Sequence, residues 1–250
     1  MKCVAIVQAR TSSSRLPGKV LEPINGVPMI VFMLRRVARA QKLNHLLVAT
    51  SEDMSDDALA RVTAEHGFDC FRGDLADVLG RYAAAACLSE ADVVVRLTGD
   101  CPLTDADLID RSISTLIDGN FDYVSNCDPP SFPDGLDVEA FTRDALLKAD
   151  KSTQLPTDRE HVTPYIRRMK ALFRQTNLQS SIDLSALRWT VDHPDDLEFV
   201  RALVRAVNCD DVVLADRFSF LRALEVHGTS IPRSLHVRNE RYTDYSSATK

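Results

Sequence analysis

The hydrophobic pattern along the chain changes period repeatedly. Short apolar runs read as buried strands: CVAIVQA (3–9), HLLVAT (45–50), FDCFRG (68–73), DVVVRLTG (92–99) and FDYVSN (121–126). Between them lie segments with helical spacing. PMIVFMLRRVARAQ (28–41) is one, and DDALARVTAEH is another, with Ser55 as its expected N-cap and Gly67 as its stop. The run from Leu75 places Val78, Leu79, Tyr82, Ala83 and Ala86 on one helical face, and DADLIDRSISTLID (105–118) follows the fourth strand. Alternation of this kind predicts an α/β fold with a mainly parallel sheet covered on both faces.

The middle of the chain reads differently. PPSFPDGLDVEAF (129–141) carries three prolines before a strand and is expected to leave the regular winding as a flap or subunit-contact arm. Helical segments follow at TRDALLKAD (142–150) and REHVTPYIRRM (159–169). LRWTVDHPDDLEFVRALVRAV (187–207) resumes the strand–helix pattern, with Pro194 suited to a first helical turn. Without repeats, low-complexity runs or a linker, the reading is a single domain over 1–250. About 127–170 forms an inserted arm with the acceptor side, and the tail from about Arg238 is expected to fray.

Composition narrows the class. Hydrophobic residues at 45% and charged residues at 26% suit a globular enzyme, and a net charge of -6 argues against nucleic acid as partner. The six cysteines are scattered, with no CxxC pair and no zinc spacing, which reads as a reducing, cytoplasmic setting. The longest apolar stretch, VPMIVFML, is far short of the ~18 residues that span a bilayer, so no membrane is expected.

Against that acidic background, QARTSSSRLPGK (8–19) concentrates Arg10, Arg15 and Lys19 among Thr11 and three serines at the end of the first strand. Ligands of open parallel sheets gather beyond the carboxyl ends of strands. Guanidinium groups, an ammonium and a tight turn are the parts of a triphosphate cradle, although a solvated polar loop has the same composition. RLTGDCP (96–102) brings Asp100 out at the same edge, where a carboxylate suits Mg²⁺, as a turn aspartate also would. WTVDHPDDLEF (189–199) places Asp192 at another expected strand end. Asp195 and Asp196 fall in a first helical turn, where negative charge complements the macrodipole. The combination, two strand-end acids facing a basic loop, points to a Mg²⁺–nucleotide site.

VQARTSSSRLPGK, GVPMI, ATSEDMSDDALA, FRGDLADVLGRY, VVRLTGDCP, PDGLDVEAF, REHVTPYI and WTVDHPDDLEFV, in that order, resemble the cytidylyltransferases of acidic sugars. That family includes acylneuraminate and 3-deoxy-manno-octulosonate cytidylyltransferases, and the likeness is strongest to its spore-coat polysaccharide branch. The resemblance implies a Rossmann-like nucleotidyltransferase fold, CTP as donor, Mg²⁺ as cofactor, and a homodimer. A hydroxyl of an acidic or modified sugar would attack the α-phosphate and release pyrophosphate, for surface polysaccharide or glycoconjugate synthesis.

By motif position, Arg10, Ser14, Arg15 and Lys19 would hold the triphosphate, with Lys19, Arg10 and Asp100 the catalytic set. Asp100 and Asp192 would hold the metal. Thr50, Arg72 and Gly73 would serve the base and ribose, and Asp137, Glu139, Arg159 and His161 the acceptor. Arg143, Arg167 and Arg168 are further cations for an acidic acceptor, and Val20 departs from the asparagine of acylneuraminate enzymes. Use of another nucleotide or a sugar 1-phosphate, metal-dependent glycosyl transfer from a nucleotide-sugar, and nucleotide binding without catalysis are the competing readings.

Overall fold

In the computed structural model residues 1–231 are described; the tail expected to fray from about Arg238 lies outside them. β1 (Cys3–Gln8) leads through a loop to the small hairpin β2 (Pro23–Ile24) and β3 (Val27–Pro28), then α1 (Met29–Val37). β4 (His45–Ser51), α2 (Asp57–Glu65), β5 (Asp69–Gly73), α3 (Val78–Leu88), β6 (Val93–Thr98) and α4 (Ala106–Asp118) complete the regular winding. After β7 (Tyr123–Ser125) come β8 (Glu139–Thr142), α5 (Arg143–Ser152), α6 (Pro156–His161), α7 (Pro164–Arg168) and β9 (Gln175–Asn177). α8 (Pro194–Ala206) and α9 (Arg217–His227) close the described chain.

Seven strands form one sheet in the order β5–β4–β1–β6–β8–β7–β9. β5, β4, β1 and β6 pair in parallel, as do β7 and β9, while β8 runs antiparallel to both its neighbours. The continuous apolar run of β1 follows from this placement, because a central strand is covered on both faces. Cys3, Ala5 and Val7 enter the layer built with α1, α4, α8 and α9, whereas Val4 and Ile6 enter the layer built with α3, α5 and α7. From β1 the chain moves outward to β4 and β5, then returns to β6 on the other side. The switch point therefore lies between the carboxyl ends of β1 and β6, where a doubly wound sheet leaves its binding crevice.

Three local expectations are corrected, and a fourth is met in part. Ser55 is not the cap. Asp53 accepts from the Ser55 N–H at 2.9 Å and starts a 3₁₀ turn, Met54–Asp56, that runs into α2. The helix expected over 159–169 is split, because Val162 sits at φ 71° between α6 and α7. The segment 187–192 is extended but pairs only through a single bridge from Arg188 to Asp134, so Asp192 does not end a sheet strand. The proline-rich segment departs from the regular winding without projecting from the body. Phe132, Leu136 and Val138 are buried in the larger core, and β8 inserts between β6 and β7.

Candidate active site

The loop after β1 reverses through Gly18, whose φ of 71° is the left-handed region that glycine enters without strain. The reversal starts a short 3₁₀ turn at Lys19 and sends that side chain inward, to 7% exposure. Its ammonium donates to the carbonyl of Val191 at 2.7 Å and lies 3.2 Å from Asp100 Oδ2 and 2.9 Å from Asp192 Oδ1. Burial alone would lower the Lys19 pKa, but Asp100 and Asp192 raise it above the ordinary lysine value. At Asp192, burial works upward, and Lys19 followed by Arg15 more than offsets it. Its carboxyl stays ionised well below the usual range.

Two acids remote in sequence meet here because of the extended segment 187–192. Trp189 and Val191 are fully buried, with Trp189 edge-on to Phe220 at 6.0 Å, so alternation turns Arg188 and Asp192 to the other side. Val191 N–H donates to the Asp100 carbonyl at 2.8 Å. Gly135, at φ 102°, lets the backbone at 189–190 approach; a Cβ there would lie 2.5 Å from the Thr190 nitrogen. Arg188 pairs with Asp134 at 2.8 Å, Asp192 at 3.1 Å and Asp196 at 3.0 Å. Asp196 also accepts from the His193 N–H at 2.9 Å, so the first-turn acid expected to complement the α8 macrodipole also bonds back to the N-cap residue.

Two cavities flank this junction. One of about 430 Å³ lies over the first loop, lined by Arg10, Ser14, Arg15, Lys19 and Arg81 among others. The second, about 510 Å³, reaches Asp137, Glu139, Thr163 and Arg167. They share Gln8, Arg15, Thr98, Asp100, His161 and Asp192. In the second cavity Glu139 is 5% exposed and pairs with Arg96, while accepting from Tyr123 Oη at 2.5 Å and Thr163 Oγ1 at 2.7 Å. Burial raises the Glu139 pKa, but Arg96 and then these hydroxyls bring it below the ordinary glutamate value. Burial also lowers the His161 imidazole, leaving it neutral near pH 7.

Arg10, Ser14, Arg15, Lys19, Asp100 and Asp192 thus converge on the first cavity, and Asp137, Glu139 and His161 on the second. Thr50, Arg72, Gly73 and Arg159 line neither. β4 and β5 lie across β1 from β6, so Thr50 is buried. Arg72 donates to the carbonyls of Ser51 at 2.8 Å and Asp53 at 3.0 Å, and Gly73 packs on Arg81. Arg159 clamps Asp77, the cap of α3, and pairs with Asp150 at 2.8 Å. Sequence reasoning passed over Arg96, Arg188 and Asp134; the readable signal was a lone cation inside each of the runs VVVRLT and LRWTVD.

Among the described residues no cluster of three or more His, Cys, Asp or Glu is poised to hold a metal, and no helix is long and apolar enough to cross a membrane. The protein offers two carboxylates that converge on one cationic centre. Hard oxygen donors in that number fit a Mg²⁺ ion that completes its shell with phosphate and water.

The profile of the family described as cytidylyltransferase matches residues 4–226. The chain is 36% identical to protein MJ1063 of Methanocaldococcus jannaschii, over 88% of this chain and 90% of that one. It is 33% identical to the spore coat polysaccharide biosynthesis protein SpsF of Bacillus subtilis, over 79% and 84% respectively. Among solved structures, a cytidylyltransferase of Leptospira borgpetersenii superposes with a TM-score of 0.89 at 29% identity, covering 95% of this chain and all of that one. With the first loop, the paired acids and the switch-point crevice in place, the chain belongs to the cytidylyltransferase family.

Proposed function

We propose that this protein transfers CMP from CTP to the hydroxyl of an acidic or otherwise modified sugar, releasing pyrophosphate. The observation that carries this reading is Lys19, held within 3.2 Å of both Asp100 and Asp192 where the two cavities meet. Triphosphate lies over the first loop, engaged by Arg10, Ser14, Arg15 and Lys19; the sugar enters the second cavity, toward Asp137 and His161. Phosphoryl-type transfer asks a protein mainly for alignment and for neutralisation of developing charge. Lys19 supplies that charge from a buried position, where an ammonium acts more strongly than in water.

Asp100 and Asp192 would hold Mg²⁺, and the bound ion would neutralise phosphate oxygens and orient the leaving group. Glu139 shapes the acceptor cavity through Arg96, Tyr123 and Thr163, which hold its carboxylate in the ionised form. The family likeness also suggests a homodimer, which sedimentation at micromolar concentration checks.

The test is pyrophosphate release with each of the four NTPs, Mg²⁺ and a panel of sugar acids, amino sugars, neutral sugars and sugar phosphates. Release with CTP and a free sugar hydroxyl, abolished by EDTA and restored by Mg²⁺, supports the reading. Release only with a sugar 1-phosphate, or nucleotide-sugar cleavage without pyrophosphate, replaces it with one of the competing readings.

A further inference from the structure

We propose that Arg159, although it lines neither cavity, is a positioning residue: by gripping Asp77 it ties α6 to the start of α3 and holds His161 in the wall that the two cavities share. The inference rests on the CMP-transfer reading above and names what steadies the acceptor side of that site.

The chain over 160–167 runs along both cavities. Glu160 and His161 line the first; His161, Thr163, Pro164 and Arg167 line the second. His161 is common to both, where a sugar hydroxyl would meet the nucleotide. The backbone reaches this place at a cost. Val162, β-branched and fully buried, takes φ 71° and ψ -56°, and the Thr163 N–H donates to the His161 carbonyl at 2.8 Å. This is a γ-turn of the strained hand, which persists only where its surroundings over-determine it. Position also sets the state of the ring. Burial lowers the His161 pKa; Glu160 works upward, Arg96 of β6 and Arg10 of the loop after β1 downward, and Glu139 of β8 upward. A neutral imidazole keeps one acceptor nitrogen for a hydroxyl, which an imidazolium lacks.

The strained turn is pinned on each side. After it, Thr163 Oγ1 donates to Glu139 at 2.7 Å. Before it, two residues from His161, the Arg159 guanidinium donates through Nε to Asp77 Oδ1 at 2.8 Å and through Nη2 to Asp77 Oδ2. Its Nη1 reaches the carboxylate of Asp150 in α5 at 2.8 Å and the carbonyl of the same residue at 2.9 Å. A two-pronged pair of this kind fixes orientation as well as distance. Asp77 is itself held, because it caps α3 by accepting from the Gly80 N–H at 2.8 Å. The first turn of α3 supplies Val78 and Arg81 to the first cavity. The imidazole on the acceptor side is thereby referenced to the helix that walls the nucleotide side.

The experiment follows the His161 imidazole by NMR titration, its resonance identified by its loss in His161→Ala. Pyrophosphate kinetics with the acceptor of the panel that the wild type uses best accompany it. In Arg159→Ala the His161 pKa should rise toward the ordinary 6.5. The kcat/KM for the sugar should fall about tenfold to 10²-fold, the cost of lost alignment. CTP binding should hold within about twofold, because Asp77 still caps α3. Arg159→Lys keeps the charge but not the fork, so the same changes in smaller measure report position rather than charge; it also stands in should the alanine variant not fold. In a His161→Ala background, Arg159→Ala should cost nothing more, since residues that act through one another do not add. An unmoved His161 titration in a folded Arg159 variant, or losses that multiply in the double variant, overturns the inference and leaves CMP transfer standing. Absence of pyrophosphate with every acceptor in the wild type, despite saturable CTP binding, overturns the transferase reading and with it this role for Arg159.

Discussion

Val191 donates its backbone N–H to the carbonyl of Asp100 at 2.8 Å, and with the Thr190 hydroxyl on the same carbonyl at 3.1 Å this bond joins the turn after β6 to the segment before α8. It sets the next residue, Asp192, opposite Asp100 with Lys19 between them. The first predictions concern that trio. Lys19→Ala and Asp100→Asn should each lower pyrophosphate release by about 10²–10³, the usual cost of deleting one charge-stabilising contact. Circular dichroism should report an intact fold, since neither residue packs in the core clusters. Wild-type turnover in both variants would remove them from the mechanism.

The pH dependence of stability follows from the same pairings. Asp192 is depressed below its ordinary value, so its contribution is complete above the unfolded pKa of 3.8 and is lost as pH falls through the folded value. Lys19 is raised, so its contribution is complete below 10.5 and is lost as pH rises through the folded value. Thermal unfolding between pH 5 and 9, as an approximate window inside those limits, should therefore be insensitive to the pair. Asp192→Asn should flatten the acid limb of the melting curve; an unchanged acid limb would contradict the assignment.

Glu139→Gln keeps the shape of a buried side chain and removes the charge that faces Arg96. Breaking one side of a buried pair typically costs about 3–5 kcal/mol. Denaturant unfolding should show a loss of that order, with turnover falling only as far as the folded fraction falls. Turnover abolished in a fully folded variant would instead make Glu139 a chemical participant.

Asp56 anchors the start of the loop after β1. It is fully buried and accepts from Thr11 N–H at 2.7 Å and Thr11 Oγ1 at 2.8 Å, as well as from Ser51. Asp56→Ala leaves those donors without their partner, at about 1–3 kcal/mol per buried group. The loop carrying Arg10 and Arg15 should then raise KM for CTP about tenfold, the equivalent of about 1.4 kcal/mol. Asp56→Asn, which retains one acceptor oxygen, should recover part of this. Equal KM in all three proteins would show the anchor to be irrelevant to nucleotide binding.

Much of the site was legible because it sits on the most regular part of the chain. A central strand covered on both faces reads as an uninterrupted apolar run, and polar loops at its carboxyl end are conspicuous by contrast, so Arg10, Lys19 and Asp100 stood out. The 187–192 segment misled for a physical reason. Its alternation comes from Trp189 and Val191 packing into the core, which a strand and a lone extended segment do alike. Thr50 and Arg72 entered by motif position alone, although they too stand at strand ends. Which strand ends share a crevice depends on strand order, and local pattern does not contain that order. The roles of Arg159 and Arg188 depend on partners remote in sequence, Asp77 and Asp134, which no local pattern brings against them.

The Arg188 guanidinium ties the wall of the second cavity to an acid that both cavities share. Arg188 holds Asp134, on the wall of the second cavity, with the same fork that steadies Asp192 beside the loop after β1. Whatever draws Asp192 toward a filled nucleotide site also alters the hold on Asp134. On the proposed assignment of the cavities such a shift would couple the two substrates, and reciprocity would then require CTP to change the affinity for the sugar by the same factor as the sugar changes the affinity for CTP.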